Sequence, residues 1–209
     1  MTLSELDFRP LTPALMDALE TIFKGTWGRS CWCMHPRLTD AQMRALPGEG
    51  KAKDRRRAAL EQLARRPTAP GVLAYQGREP VGWVAVAPRG EYARVDGSRA
   101  TPRVDEENVW VIACIAVRKD YRGSGVAVKL IQAAAAYAIE NGAPAVEAYP
   151  RAGTQWTGDD NAYFGTEPMF KRAGFDVVRG QLENLPRNWT PRVTMRLRPT
   201  NATNVHVSA

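Results

Sequence analysis

Cysteine is scarce in this 209-residue chain, with three residues at positions 31, 33 and 114. An odd, sparse set excludes a disulfide framework and points to a reducing cytosol. No apolar run approaches the ~20 residues needed to cross a bilayer, so neither a transmembrane helix nor a membrane partner is expected. The first 25 residues interrupt their apolar positions with Glu5, Asp7, Asp17 and Glu20 and do not form a secretory signal. Internal repeats, low-complexity blocks and Gly/Ser/Pro linkers are also missing, so residues 6–198 are expected to form one domain, followed by a disordered tail over 199–209. Lysine is rare as well: of 29 basic residues only Lys24, Lys51, Lys53, Lys119, Lys129 and Lys171 are lysine, the rest being arginine. The net charge of +7 favours anionic partners such as a phosphorylated cofactor. No basic stripe alternates with stacking aromatics, however, so a nucleic-acid partner is not expected. What remains, 44% hydrophobic and 24% charged residues, is the composition of an ordinary soluble globular protein with one sizeable core.

The hydrophobic pattern gives an alternating series of elements. Leu6 to Leu11 alternates as a short strand, and Thr12-Pro13 opens a helix with Thr12 as its N-cap. An irregular stretch runs from Lys24 to Arg37, and a second helix covers Ala52 to Arg65. Runs 71–76 and 81–87, joined by Gly77-Arg78-Glu79-Pro80, predict an antiparallel hairpin. A polar loop spans Pro88 to Asn108, and Val109 to Val117 then forms nine almost uninterrupted apolar residues, the pattern of a strand buried on both faces. After a turn comes an alanine-rich helix from Gly125 to Asn141, ended by Gly142 and Pro144. A strand at Ala145 to Tyr149, a short helix opening at Thr166, and strands at 175–178 and 192–197 complete the order β-α-α-β-β-β-α-β-α-β-β. That order predicts an α/β fold with a mixed, mostly antiparallel central sheet flanked by helices.

The chemistry concentrates where the long apolar strand feeds the alanine-rich helix through Arg122-Gly123-Ser124-Gly125-Val126-Ala127. A glycine-bearing turn at a helix N-terminus aims unpaired backbone N–H groups and the positive end of the dipole at one point, which suits a phosphate. Gly-Lys-Ser/Thr is missing, which excludes a P-loop, and valine stands where a dinucleotide fingerprint needs its third glycine.

These residues resemble the GNAT family of N-acetyltransferases. That family carries Arg/Gln-x-x-Gly-x-Gly/Ala after a strand ending in an Ala-Val-like pair, here Ile115-Ala116-Val117 followed by Arg122 to Ala127. Met169-Phe170-Lys171-Arg172-Ala173-Gly174-Phe175 is similar to the family's Leu-Tyr-x-x-x-Gly-Phe ending, and the resemblance covers roughly residues 6–198. It implies an acyl-CoA N-acyltransferase-like fold with acetyl-CoA as co-substrate and no metal. Backbone amides of Gly123, Ser124, Gly125, Val126, Ala127 and Val128, with Arg122 beside them, would hold the pyrophosphate. Ile115, Ala116 and Val117 would bond the pantetheine arm and the thioester oxygen as an added strand does. The family's usual acid, a tyrosine, is replaced by Phe170, and its frequent strand glutamate falls near Val109. Glu107, Tyr149 and Tyr163 are therefore the proton-transfer candidates.

Cys31-Trp32-Cys33-Met34-His35 lacks zinc-ligand spacing and a second ligand pair, so no metal site is expected there. Trp27, Trp32 and Met34 are instead the expected acceptor-pocket lining, while Cys114 reads as a small core residue. The implied activity is direct acetyl transfer to a primary amine of a small molecule, by a monomer or homodimer. Acidic residues Asp105, Glu106, Glu107, Asp159 and Asp160 would attract the cationic acceptor. A protein lysine or N-terminus as acceptor, and a non-catalytic acyl-CoA-binding module, are the alternatives.

Overall fold

A computed structural model describes residues 5–26, 28–153, 163–186, 189–199 and 207. Strand β1 (Leu6–Pro10) leads through a 3-10 turn into helix α1 (Met16–Phe23), then short helices α2 (Gly28–Cys31), α3 (Met34–Arg37) and α4 (Asp40–Arg44), and the longer α5 (Ala52–Ala64). Hairpin strands β2 (Gly71–Gln76) and β3 (Glu79–Pro88) follow, then α6 (Ala93–Asp96) and the central strand β4 (Trp110–Val117). The second half is α7 (Val126–Glu140), β5 (Val146–Ala148), α8 (Glu167–Arg172), β6 (Asp176–Arg179) and β7 (Thr194–Leu197). The strands form one seven-stranded sheet in the order β1-β2-β3-β4-β5-β7-β6. Every neighbouring pair is antiparallel except β4–β5, the pair connected through the α7 crossover.

Strand alternation divides the core into two layers. Val72, Ala74, Val84 and Val86 face α7 and α8, where they pack with Leu130, Ile131 and Phe170. The intervening Leu73, Tyr75, Trp83 and Ala85 face the N-terminal helices and pack with Leu19, Ile22, Phe23 and Leu60. The alanine run of α7 lets that helix lie close on the sheet. Gly82 is part of the same fit, since a Cβ there would stand 2.6 Å from a Leu130 methyl. Phe170, where the family motif has tyrosine, is fully buried and meets Phe175 edge-on at 5.2 Å.

Several boundaries differ from the sequence expectation. Thr12 precedes a 3-10 turn (Pro13–Leu15) without a side-chain cap, and the α-helix begins only at Met16. The stretch read as irregular from 24 to 37 contains α2 and α3. Strand β4 is buried on both faces only over Trp110–Ala113, and residues 114–117 are half-exposed. The reason is topological: β4 pairs with β5 only from Trp110 to Ile112. Most of the expected tail lies outside the described residues, and Val207 within it packs against the α7 side of the core. No helix among the described residues is long and apolar enough to cross a membrane.

Candidate functional site

Where β4 and β5 part, a cleft of about 1170 Å³ opens along the second half of β4 and reaches the N-terminus of α7. A bulge decides which peptide groups line it. Ala85 pairs with Cys114 but Val86 pairs with Ile112, so Ala113 is an extra residue in β4. Before the bulge, Trp110 faces β5 and donates to Ala145 O at 3.0 Å. After it, Arg118 donates to Val81 O at 2.9 Å, a phase that turns 114 and 116 toward β3 and 115 and 117 toward the gap. Ile115 N–H already donates across the gap to the Tyr163 carbonyl at 2.7 Å, and Val117 C=O accepts from Arg122 Nε at 3.0 Å. A ligand bonding the Ile115 amide must therefore displace the Tyr163 carbonyl.

At the other end of the cleft, Gly123 (φ 75°) and Gly125 (φ 92°) take left-handed conformations that a side chain disfavours, and Gly125 is the N-cap of α7. The first intrahelical donors are Val128 and Lys129, both to Gly125 O at 3.1 and 3.2 Å. The amides from Gly125 to Ala127 accordingly project from the helix end. Five cations line the cleft (Lys24, Lys119, Arg122, Lys129 and Arg172), and no carboxylate is among its described lining residues. A fifteen-residue helix begins at this point, so its positive end and the surrounding cations give this part of the cleft a positive potential. All ten residues expected to contact a cofactor, from Ile115 to Val117 and from Arg122 to Val128, line this one cleft.

The remaining candidates are dispersed. Tyr163 lines the cleft, and burial raises its phenol above the usual tyrosine range. Tyr149 does not line it. Its hydroxyl donates to Glu147 Oε2 at 2.6 Å and accepts from Arg89, and burial with the Glu147 charge pushes its ionisation up. Arg89, itself 2% exposed, also donates to Asp96 Oδ1 at 2.8 Å and Thr101 O at 2.6 Å. Glu107 is likewise engaged elsewhere, accepting from Arg196 at 3.0 Å and from both terminal nitrogens of Arg198 at 3.0 Å. Arg196 continues to Glu147 at 2.6 Å and Asp105 at 2.7 Å, so Tyr149 and Glu107 belong to one network riveting the 88–108 segment to β5 and β7.

Trp27, Asp159 and Asp160 lie outside the described residues. Trp32 and Met34 are buried in the layer between α1, α5 and the sheet and do not line the cleft. Trp32 meets Phe23 edge-on, with Arg57 over its indole. Their neighbours Cys31 and Cys33 line the cleft instead, together with Cys114, Phe23 and Gly28. Trp32 and Cys33 are consecutive left-handed residues (φ 49° and 51°), which breaks the spacing that a single helix would have imposed on the motif. Burial pushes the Cys31 thiol up to about 12. Among the described residues, no group of three or more His, Cys, Asp and Glu side chains is placed to hold a metal ion.

Comparison with known proteins agrees with this geometry. Residues 35–161, more than half of the chain, match the model of the family described as "Acetyltransferase (GNAT) family". No curated protein sequence matches the chain. Among solved structures, an N-acetyltransferase from Staphylococcus aureus is 12% identical with a TM-score of 0.53, covering 93% of this chain and 99% of that one. An apo mutant of an agmatine N-acetyltransferase is 14% identical with a TM-score of 0.54, covering 93% and 100%. The NatC complex bound to Gag peptide and CoA is 14% identical with a TM-score of 0.51, covering 93% and 99%. At these identities the likeness is one of fold. Together with the matched family model, the split between β4 and β5 and the glycine turn capping α7 place the chain: it belongs to the acetyltransferase (GNAT) family.

Proposed function

We propose that this protein is an acetyl-CoA-dependent N-acetyltransferase whose acceptor is the primary amine of a small molecule. The observation that carries this reading is the continuity of the cleft from the α7 N-terminus to the gap-facing edge of β4. One end has the amides and cations that suit a pyrophosphate, and the other has the strand edge that suits an extended amide-bearing arm. Its volume exceeds the roughly 300–1,000 Å³ of ordinary ligand pockets, leaving room for an acceptor beside a long cofactor.

Acetyl-CoA would supply an activated acyl group, and the chain's residues would hold and orient it. Gly123 to Val128 would grip the pyrophosphate through main-chain amides, with Arg122 and Lys129 contributing charge. Ile115 and Val117 would bond the pantetheine arm once the Tyr163 carbonyl gives way at the Ile115 amide. Tyr163 is the proton-transfer candidate that we retain, because it lines the cleft while Glu107 and Tyr149 are engaged in the arginine network. A small acceptor is supported by the far wall, where Phe23, Cys31 and Tyr163 present apolar and aromatic surface.

Titration calorimetry with CoA and acetyl-CoA, followed by CoA-release assays over a panel of small amines and peptide amines, tests the reading. Micromolar binding with turnover on small amines is the expected result. Turnover on peptides alone would overturn the acceptor class, and no heat with either thioester or thiol would overturn the cofactor.

A further inference from the structure

Two arginines just beyond β5 stand outside the carboxylate network that holds Arg89 and Arg196. Arg151 and Arg192 lie directly opposite each other in an antiparallel bridge, so their side chains leave the same face of the sheet. Like charges so placed repel, and neither guanidinium forms an ion pair with a carboxylate among the described residues. Arg192 donates from Nη1 to the Tyr149 carbonyl at 2.8 Å. Its Nε and Nη2, which form one edge of the guanidinium, make no hydrogen bond among the described residues and keep contact with solvent. Arg151 reaches only Thr190 Oγ1, at 3.5 Å, and its Nη1 is buried without an acceptor. Burial lowers the Arg192 guanidinium to about 10, and the Arg151 charge acts in the same direction. Such a pair, short of both counter-charge and acceptors, suits an entering anion.

The pair also lies within reach of the cleft. The Arg192 guanidinium carbon stands 3.9 Å from the centre of the Phe164 ring, and that centre is 4.4 Å from the centre of the Tyr163 ring. Arg192 is therefore no more than about 8 Å from the ring of Tyr163, which lines the cleft. Stacking on Phe164 occupies a face of the guanidinium and leaves its Nε–Nη2 edge free. The described lining of the cleft holds five cations and no carboxylate. An acceptor whose only charge is an ammonium finds nothing there to offset it, and a polyamine fares worse.

Resting on the acetyltransferase reading above, we propose that the acceptor is a primary amine that also bears a carboxylate. Arg192 and Arg151 determine that specificity by holding the carboxylate while the amine reaches the cleft beside Tyr163. The free edge of Arg192 presents two parallel N–H groups, which match the two oxygens of a carboxylate. Arg151 contributes its charge and the orphaned Nη1. The bound carboxylate also offsets the repulsion between the two arginines, a gain that an uncharged group of the same shape does not bring.

The test measures CoA release by the whole protein with L-amino acids and with ω-amino acids from glycine to 6-aminohexanoate. Each is assayed beside its carboxamide, with diamines and aminoalkyl phosphates of matched length for comparison. The best carboxylate acceptor should exceed its carboxamide by about 100-fold in kcat/KM, the scale of a two-point bond to a charged group. In Arg192→Leu and in Arg151→Gln that ratio should fall toward one, with the loss carried by KM rather than kcat. Arg192→Lys keeps the charge without the two-nitrogen edge and should recover part of it. Arg192→Leu gives up the bond to Tyr149 while Arg151→Gln keeps it, and calorimetry with CoA verifies that each variant is folded and takes the cofactor. Carboxamides or diamines used as well as carboxylates overturn this inference and leave the acetyltransferase reading standing. So does an undiminished carboxylate preference in both Arg192→Leu and Arg151→Gln. A higher kcat/KM for the aminoalkyl phosphates overturns the carboxylate in favour of a phosphate. Failure of the wild type to bind CoA or acetyl-CoA, or to acetylate any amine, overturns the underlying reading and this inference with it.

Discussion

Placing a carboxylate on the glycine turn gives the sharpest test of where an anion is held. Gly125 sits at φ 92° as the N-cap of α7, so Gly125→Glu adds a side chain to a left-handed residue, costing about 1–2 kcal/mol. Against a typical folding stability of about 5–15 kcal/mol, that leaves the protein folded. The new carboxylate lies beside the projecting amides and competes for the same helix end. At about 4 Å from a ligand phosphate, and with the effective dielectric of a protein surface, two unit charges repel by about 4 kcal/mol. That corresponds to nearly a thousandfold loss in CoA affinity. Gly125→Gln is the control: it carries the same backbone cost and a side chain of the same length, but no charge. Titration calorimetry with CoA at low salt, with circular dichroism to verify folding, should show weakened but measurable binding for Gly125→Gln and none for Gly125→Glu. A folded Gly125→Glu protein with wild-type affinity would refute the assignment of the α7 N-terminus as the anion site.

Two further expectations concern the arginine network. Arg89→Leu removes a buried guanidinium that serves Tyr149, Asp96 and Thr101, and should lower stability by about 3–5 kcal/mol in urea unfolding while leaving CoA affinity unchanged. Unchanged stability, or a selective loss of CoA binding, would contradict the separation of this network from the cleft. Asp105 is held down to about 2, chiefly by its hydrogen bond from Arg196. Its folded value lies below the ordinary carboxylate range, so the stability it contributes is fully present above about pH 4 and is lost as pH falls toward 2. Asp105→Asn should remove that part of the acid sensitivity, and a wild-type slope of stability between pH 5 and 2 in the variant would count against the pairing.

The glycine turn at the α7 N-terminus was legible in the sequence because its geometry is local. Two glycines, a helix start and an apolar strand lie within one stretch, and each restricts the backbone without reference to distant residues. The sheet was legible through alternation and hairpin spacing. The gap between β4 and β5 was not, since it depends on where pairing with β5 stops and on a bulge at Ala113 that no residue type announces. Tyr149 and Glu107 looked available for proton transfer because their partners are far away in the chain. Arg89 is 60 positions from Tyr149, and Arg196 is 89 from Glu107. In the Cys31-to-Met34 motif, size and aromaticity pointed to Trp32 and Met34 as lining. Two successive left-handed residues place the cysteines at the cleft and leave Trp32 and Met34 packed behind.

The extra residue at 113 makes β4 a strand with two allegiances. Its first half satisfies a neighbour within the sheet, and its second half offers the same kind of peptide edge to whatever occupies the split. Beyond the bulge the offered edge is set by odd or even position rather than by the identity of the side chains. Deleting Ala113 would bring Ile112 and Cys114 onto consecutive partners of β3, Val86 and Ala85, and leave the 115 and 117 peptides facing the split, so the bulge is the one place where this strand can shed a residue without losing its offered edge.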